Sequence, residues 1–226
     1  NARFLRQGIP RVFSKKEIRP FHDHPCARGP RFRMSGEMIR DMVLASSGLL
    51  SRKLGGPSVH PPQPSSVTAA AYGGARWKAS QGESRYRRSL YTFMKRTAPF
   101  AAYLAFDGPT GEQCLPRRDR SNTPIQALTL LNDEMFIEAA RAIAAQLKGT
   151  KDEQLDILYQ RILTRLPHED ERKALLQFYE NQLARLSAGD LDAAEILLDQ
   201  SGNNQRAAMA MLARAIYNLD EAITRE

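Results

Sequence analysis

Apolar and polar positions divide the chain into an irregular front part and a helical back part. In residues 122–226, apolar side chains recur at intervals of three or four positions over several successive segments, which is the spacing of one helix face. The connections between these segments are only a few residues long, so neighbouring helices should run antiparallel. The sequence therefore predicts a mostly α protein with a C-terminal helical bundle from about Asn122.

Capping patterns give the expected start of this bundle. Thr123 and Gln126 match a T-x-x-Q capping box, and Pro124 occupies the first helical position, so the first helix should begin at Pro124. Asn132 and Asp133 should interrupt this helix and restart it. Two consecutive helices are therefore expected here.

The later helices of the bundle are bounded by similar signals. Thr150 and Glu153 match a second capping box, and Pro167 should end the helix that follows, with Leu166 on its inward face. A short helix is expected after Asp192, and a last one from about residue 206 to residue 219. The apolar faces of these predicted helices include Leu175, Tyr179, Leu183, Leu186, Ile196, Leu197, Leu198, Met209, Leu212, Ala213 and Ile216.

The front part of the chain shows one clear helix signal. Ser35 can cap a helix whose apolar stripe includes Ile39, and the sequence GGP at residues 55–57 should stop it. Residues 57–84 are rich in Pro, Gly and Ser and should form a long surface loop. The aromatic segment at residues 87–96 fits a short strand or a helical turn, and its pattern does not decide between them.

Charge is distributed unevenly between the two parts. The formal net charge is +8, but residues 1–120 carry 22 Lys and Arg against 8 Asp and Glu, and residues 121–226 carry 11 against 17. A basic front part could bind a polyanion. Alternatively, the two parts attract each other, or an acidic domain outside this sequence covers the basic part.

Three arginines, Arg117, Arg118 and Arg120, directly precede the first bundle helix. A helix N-terminus presents unpaired N–H groups and the positive end of the helix dipole, and guanidinium groups add forked donors. Together with Asn122 and Thr123, the arginines form a candidate anion site. Alternatively, they pair with an adjoining domain or with carboxylates of this chain, namely Asp107, Glu112 and Asp119.

Few other residues suggest a reactive centre. His22, His24 and Cys26 have the side chains of metal ligands, but an H-x-H spacing needs further ligands, and we expect no metal site. No C-x-x-C-H motif is present, so we expect no haem c and no other cofactor in this chain. Cys114 has no histidine near it in the sequence and should be a buried structural cysteine.

Four long stretches carry a family resemblance. They are, in order, ARGPRFRMSGEMIRDMVLASSGLLSRKLGGPSVHPPQP, YRRSLYTFMKRTAPF, FDGPTGEQCLPRRDRSNTPIQALTLLNDEMFIEAARAIA and ARAIYNLDEAITRE. Through them the chain resembles the planctomycete-specific C-terminal domain of planctomycete cytochrome C proteins, a domain of unknown function. The resemblance covers residues 27–226, whereas residues 1–26 form an irregular lead-in that departs from the family.

The resemblance implies a larger, exported protein in the periplasm or another extracytoplasmic location. It would have an upstream helical domain and often a cytochrome domain that holds haem c, so this chain would be truncated on its N-terminal side. The chain would then be an accessory domain in electron transfer coupled to carbohydrate breakdown. Its partners would be the missing upstream domain and an anionic glycan. We do not expect a nucleic acid as a partner, and no run of 18 or more apolar residues is present, so we expect no membrane span.

Two alternatives to an accessory domain stay open. The first is an oxidoreductase whose site is shared with the missing domain, and the second is a polyanion-binding module that uses the basic front part. An accessory domain should instead expose an apolar patch where the missing domain docks.

Overall fold

The structure, a computed structural model, describes residues 32–64, 77–96, 99–199 and 202–225. The described part is mostly helical with one two-stranded sheet, which confirms the predicted fold class. No described helix combines the length and the apolar character needed to cross a membrane. The elements are, in chain order, β1 Phe32–Arg33, α1 Gly36–Ser46, α2 Ala101–Ala105, α3 Pro124–Asn132, α4 Glu134–Gln146, α5 Lys151–Leu163, α6 Glu169–Ala188, α7 Ala193–Leu197, α8 Asn204–Tyr217, α9 Asp220–Ile223 and β2 Thr224–Arg225.

Helix α8 is the centre of the bundle. It packs most extensively against α4 and α6 and also contacts α3, α5, α7 and α9. Ala207, Ala208 and Ala213 are wholly buried, and their short side chains let the neighbouring helices approach closely. Leu212 and Ile216 are also wholly buried and fill the space between the helices.

The predicted helix starts in the bundle are confirmed. Helix α3 begins at Pro124 and ends at Asn132. Asp133 then caps α4, because its Oδ1 accepts from the backbone N–H of Met135 at 3.0 Å. The capping box of Thr150 is formed as well.

The predicted end of α1 is wrong. The helix begins after its Ser35 cap, as expected, but ends at Ser46 instead of at residues 55–57. Gly48 follows with a φ of 76°, a left-handed conformation that favours glycine and turns the chain away from the helix axis.

The predicted end of α5 is also wrong. The helix ends at Leu163, because Thr164 adopts a left-handed conformation with a φ of 63°, three residues before Pro167. Leu166 therefore lies beyond the helix, where it is 56% exposed instead of facing the core. Leu198 is exposed for a similar reason, since it is the left-handed residue that follows α7.

Two buried arginines fix the loops of the front part to α1 and to each other. Arg40 of α1 is only 1% exposed and donates to the backbone oxygens of Arg85 and Arg87 at 3.0 Å and 2.7 Å. Arg87 is buried too and donates to the backbone oxygen of Pro57 at 2.9 Å. The described ends of the predicted long loop are thus held by guanidinium groups.

The aromatic segment contains a helical turn between two isolated bridges. Residues Ser89–Tyr91 form one turn of 3-10 helix, and single bridges pair Arg87 with Ser51 and Thr92 with Val59. The following sequence AYLAFD contributes α2. Of the two predicted structures, a short strand and a helical turn, the centre of this segment forms the helical turn.

Candidate functional site

A cleft of about 260 Å³ lies where β1 and the start of α1 face the segment before α3. We call residues 117–120 the arginine segment. All three of its arginines line the cleft, together with apolar side chains from β1, α1 and the residue after α2, namely Phe32, Met38 and Phe106. The structure therefore brings Arg117, Arg118 and Arg120 into one cavity.

Asp107 anchors the chain between the arginine segment and α3. Its carboxylate accepts from the backbone N–H of Ser121 at 2.7 Å, from the Ser121 hydroxyl at 2.7 Å and from Nε2 of Gln126 at 3.3 Å. Asp107 has a φ of 58°, which is uncommon for a residue other than glycine. The hydrogen bonds of Asp107 tie the chain directly after the arginine segment to the residue that follows Phe106 in the cleft wall.

The predicted capping box at Thr123 is wrong, although the helix starts where it should. Thr123 makes no capping hydrogen bond, and Gln126 donates to Asp107 and Ser121 instead of reaching back to Thr123. Neither Asn122 nor Thr123 is among the residues that line the cleft. Only the arginines of the predicted anion site share the cavity, and whether they bind an anion stays a prediction.

Arg118 pairs with Glu37 of α1. Its Nη1 lies 2.9 Å and 3.0 Å from the two carboxylate oxygens. Burial alone would raise the pKa of the Glu37 carboxyl, but the hydrogen bonds from Arg118 and from the cap of α1 outweigh burial and lower it. The alternative that the arginines pair with carboxylates of this chain is therefore confirmed for Arg118, but its partner is Glu37 and not Asp107, Glu112 or Asp119.

Arg117 and Arg120 have no carboxylate partner among the residues that the structure describes. Arg117 makes no hydrogen bond or ion pair within this part of the chain, and the guanidinium of Arg120 lies 5.5 Å from the centroid of the Phe32 ring. The further arginine of the cleft, Arg33, pairs with Asp220 at 3.2 Å. Two guanidinium groups of the cleft thus keep donors for a ligand.

Gln126 lines the cleft, although the sequence pattern predicts that it caps α3. It is wholly buried, and its Oε1 has no hydrogen-bond partner within the described residues. A glutamine three positions after a threonine looks like half of a capping box, so the sequence contains no signal for this arrangement.

Cys114 is exposed, which corrects the prediction of a buried structural cysteine. It lies in residues 111–120, all of which are exposed, so the local chain offers no apolar surroundings for a thiol. The possible metal ligands His22, His24 and Cys26 lie outside the described residues.

Comparison with known proteins identifies a family. The family described as "PSD1: Protein of unknown function (DUF1553)" matches residues 13–179. No curated protein and no solved structure matches the chain significantly. The match begins within the expected lead-in and ends within α6, and the domain limits at residues 27 and 226 stay a prediction. Because the match covers most of the sequence, the chain belongs to the PSD1 family, the planctomycete cytochrome C-associated domain of unknown function.

Proposed function

We propose that this chain is a non-catalytic accessory domain that binds an anionic ligand in the cleft beside the arginine segment. The observation that carries the proposal is that Arg117 and Arg120 line the cleft without a carboxylate partner among the described residues. Guanidinium groups present planar, forked donors that match carboxylate and sulfate oxygens. Arg118 already contacts both carboxylate oxygens of Glu37, through its Nη1 alone.

The unused hydrogen-bond donors around the cleft favour an anion. Asp107 and Asp119 are the carboxylates among the described lining residues. Asp107 keeps its charge, but its oxygens already accept hydrogen bonds from Ser121 and Gln126. The charges of Asp107 and Asp119 balance those of Arg117 and Arg120, so the proposal depends on the unused guanidinium donors and not on an excess of positive charge.

Membership of the PSD1 family supports the wider setting of the proposal. We propose that the domain belongs to an exported, cytochrome-linked protein with haem c in an upstream domain. The anion would then be part of a glycan, and electron transfer would be coupled to its breakdown. This setting comes from the family and not from the geometry of the cleft.

Titration calorimetry tests anion binding directly, with sulfate and glucuronate as anions and glucose as the neutral control. Arg117→Ala should weaken glucuronate binding about tenfold or more, because one hydrogen bond to a charged group contributes about 1.5–3 kcal/mol. Arg52→Ala is the matched control, since Arg52 is exposed, lies outside the cleft and makes no described contact. Equal affinities for the two variants, or no heat with either anion, would contradict the proposal.

A second proposed function is docking of another domain on α3. Ile125 and Leu128 lie about one turn apart on this helix and are 64% and 56% exposed, and adjacent exposed apolar residues are common at docking surfaces. If an upstream domain packs here, Leu128→Glu should abolish its binding in calorimetry with the separately produced domain. Leu166→Glu, at a leucine of equal exposure, should leave that binding unchanged, and equal losses would reject this docking site.

A further inference from the structure

We propose that Gln126 makes the cleft selective for anions that also carry a hydroxyl group, such as a uronic acid or a hydroxy acid. The inference rests on the proposed anion binding and adds the chemical class of the ligand. It starts from one orphaned atom, because Oε1 of the wholly buried Gln126 accepts no hydrogen bond within the described part of the chain. Native proteins leave few buried polar atoms without a partner, so each needs an explanation.

The orientation of the Gln126 amide follows from its neighbours. The Asp107 carboxylate can only accept hydrogen bonds, and one of those that it accepts comes from the Ser121 hydroxyl at 2.7 Å. The amide nitrogen of Gln126 must therefore face Asp107 and Ser121, at 3.3 Å and 3.1 Å. Exchanging the amide atoms would place Oε1 against a carboxylate, so the atom without a partner is an acceptor.

Gln126, the residue that carries this acceptor, belongs to the same cleft as the two arginines without carboxylate partners. Gln126 lines the cavity with Arg117 and Arg120. A ligand that fits this set places an anionic group on the guanidiniums and donates a hydroxyl to Oε1. This oxygen exposes less than 1 Å², so neither water nor a ligand hydroxyl reaches it without a movement of the side chains around it. The proposal therefore includes such a movement on ligand binding, which gives Oε1 the hydrogen bond that it lacks.

The size of the cleft limits the ligand to a small molecule or to one unit of a larger one. Its volume of about 260 Å³ is just below the roughly 300 Å³ at which pockets for drug-sized ligands begin. Sites with buried hydrogen-bonding groups reject analogues that lack the matching group, because the buried group is then left unpaired. Sulfate and simple carboxylates offer no donor at neutral pH, so they should bind more weakly than hydroxylated carboxylates.

Citrate and tricarballylate form a matched pair for this test, since they carry the same three carboxylates and differ in one hydroxyl. We expect the unmodified chain to bind citrate about tenfold more tightly than tricarballylate in titration calorimetry, the effect of about one hydrogen bond. Glucuronate, measured beside citrate, shows whether a sugar acid or a free hydroxy acid fits better. Equal affinity for citrate and tricarballylate would overturn the selectivity and leave the oxygen as a buried acceptor without a role in binding.

Two variants locate the selectivity. Gln126→Met keeps the length of the side chain and removes its acceptor, so citrate affinity should fall to that of tricarballylate. Ser121→Ala removes a partner of the Gln126 nitrogen but not the acceptor, so the tenfold preference should persist. Thermal melts check that both variants fold, and the comparison of the two ligands on the unmodified chain needs neither variant. Absence of binding by citrate, tricarballylate and glucuronate alike would instead overturn the anion site itself.

Discussion

At the scale of single residues, two side chains with the same local role can differ in burial. Asp133 and Asp192 are both helix caps, and their Oδ1 atoms accept from the backbone N–H groups of Met135 and Ala194 at 3.0 Å and 2.8 Å. Asp133 is only 9% exposed, whereas Asp192 is exposed. Burial raises the pKa of Asp133 to about 6, against the opposing effect of its bond from Met135.

This raised pKa predicts a pH-dependent stability. The folded chain holds the proton of Asp133 more strongly than the unfolded chain, in which the pKa of this carboxyl is near 3.8. The resulting stabilisation is complete below about pH 4 and is lost as the pH rises through about 6. Asp133→Asn keeps a capping side chain without the charge, so it should be more stable than the parent by about 2 kcal/mol at pH 7 and about equally stable below pH 4.

Urea unfolding at pH 4 and pH 7 measures this difference. Asp192→Asn is the matched control, because it makes the same exchange at an exposed cap of the same kind. The prediction fails if the stability gain of Asp133→Asn is the same at both pH values, or if the control shows the same pH dependence.

At the scale of helices and loops, the sequence predicts starts better than ends. A helix start depends on a side chain within three residues of the N–H groups that it caps, so Asp133 and Thr150 could be identified from local pattern. A helix end can also depend on a residue other than glycine that adopts a left-handed conformation. Thr164 and Leu198 do this without the glycine that would have signalled it.

In the candidate site, too, features within a short stretch of sequence can be predicted, whereas contacts between distant residues cannot. The sequence predicts a shared role for Arg117, Arg118 and Arg120 because their charges lie close together along the chain. The partner of Arg118 is Glu37, 81 positions away, and only the packing of α1 against the neighbouring elements brings the two together. The Nε2 of Gln126 donates to Asp107, 19 positions earlier in the chain, and this bond leaves Oε1 without a partner. The local T-x-x-Q motif predicts a capping role for Gln126 instead.

The two threonines of the predicted capping boxes provide a direct comparison. Thr150→Ala should lower the free energy of unfolding by about 1 kcal/mol, because the Thr150 hydroxyl accepts from the backbone N–H of Glu153 at 3.3 Å. Thr123→Ala should cost less than about 0.5 kcal/mol, since Thr123 makes no capping bond. Urea denaturation of both variants measures the two costs, and equal costs would show that Thr123 does cap α3.

At the scale of the whole molecule, the core depends on a helix outside the region that the family match covers. The match ends at residue 179, but α8 packs between α4 and α6 and is buried along much of its surface. Without α8, the inward faces of both neighbours would be exposed to water, and much of the hydrophobic stabilisation would be lost.

A chain that stops after residue 199 should therefore not fold cooperatively, which circular dichroism during thermal unfolding would show as the absence of a sharp transition. A chain that stops after residue 219 keeps α8 and loses α9 and β2. This second truncation should melt cooperatively at a lower temperature than the parent. A sharp transition in the shorter chain would show that α8 is not needed for the core.

The pairing of β1 with β2 also determines how the domain would respond to mechanical force. The two strands are antiparallel, with Phe32 opposite Arg225 and Arg33 opposite Thr224, so the first and last described residues are neighbours. Tension applied through the two ends would load this short ladder one pair at a time, as in unzipping, which needs less force than shearing all pairs together. Because Phe32 and Arg33 also line the cleft, a pull on the flanking chain would open the cleft before it disturbed the helical bundle.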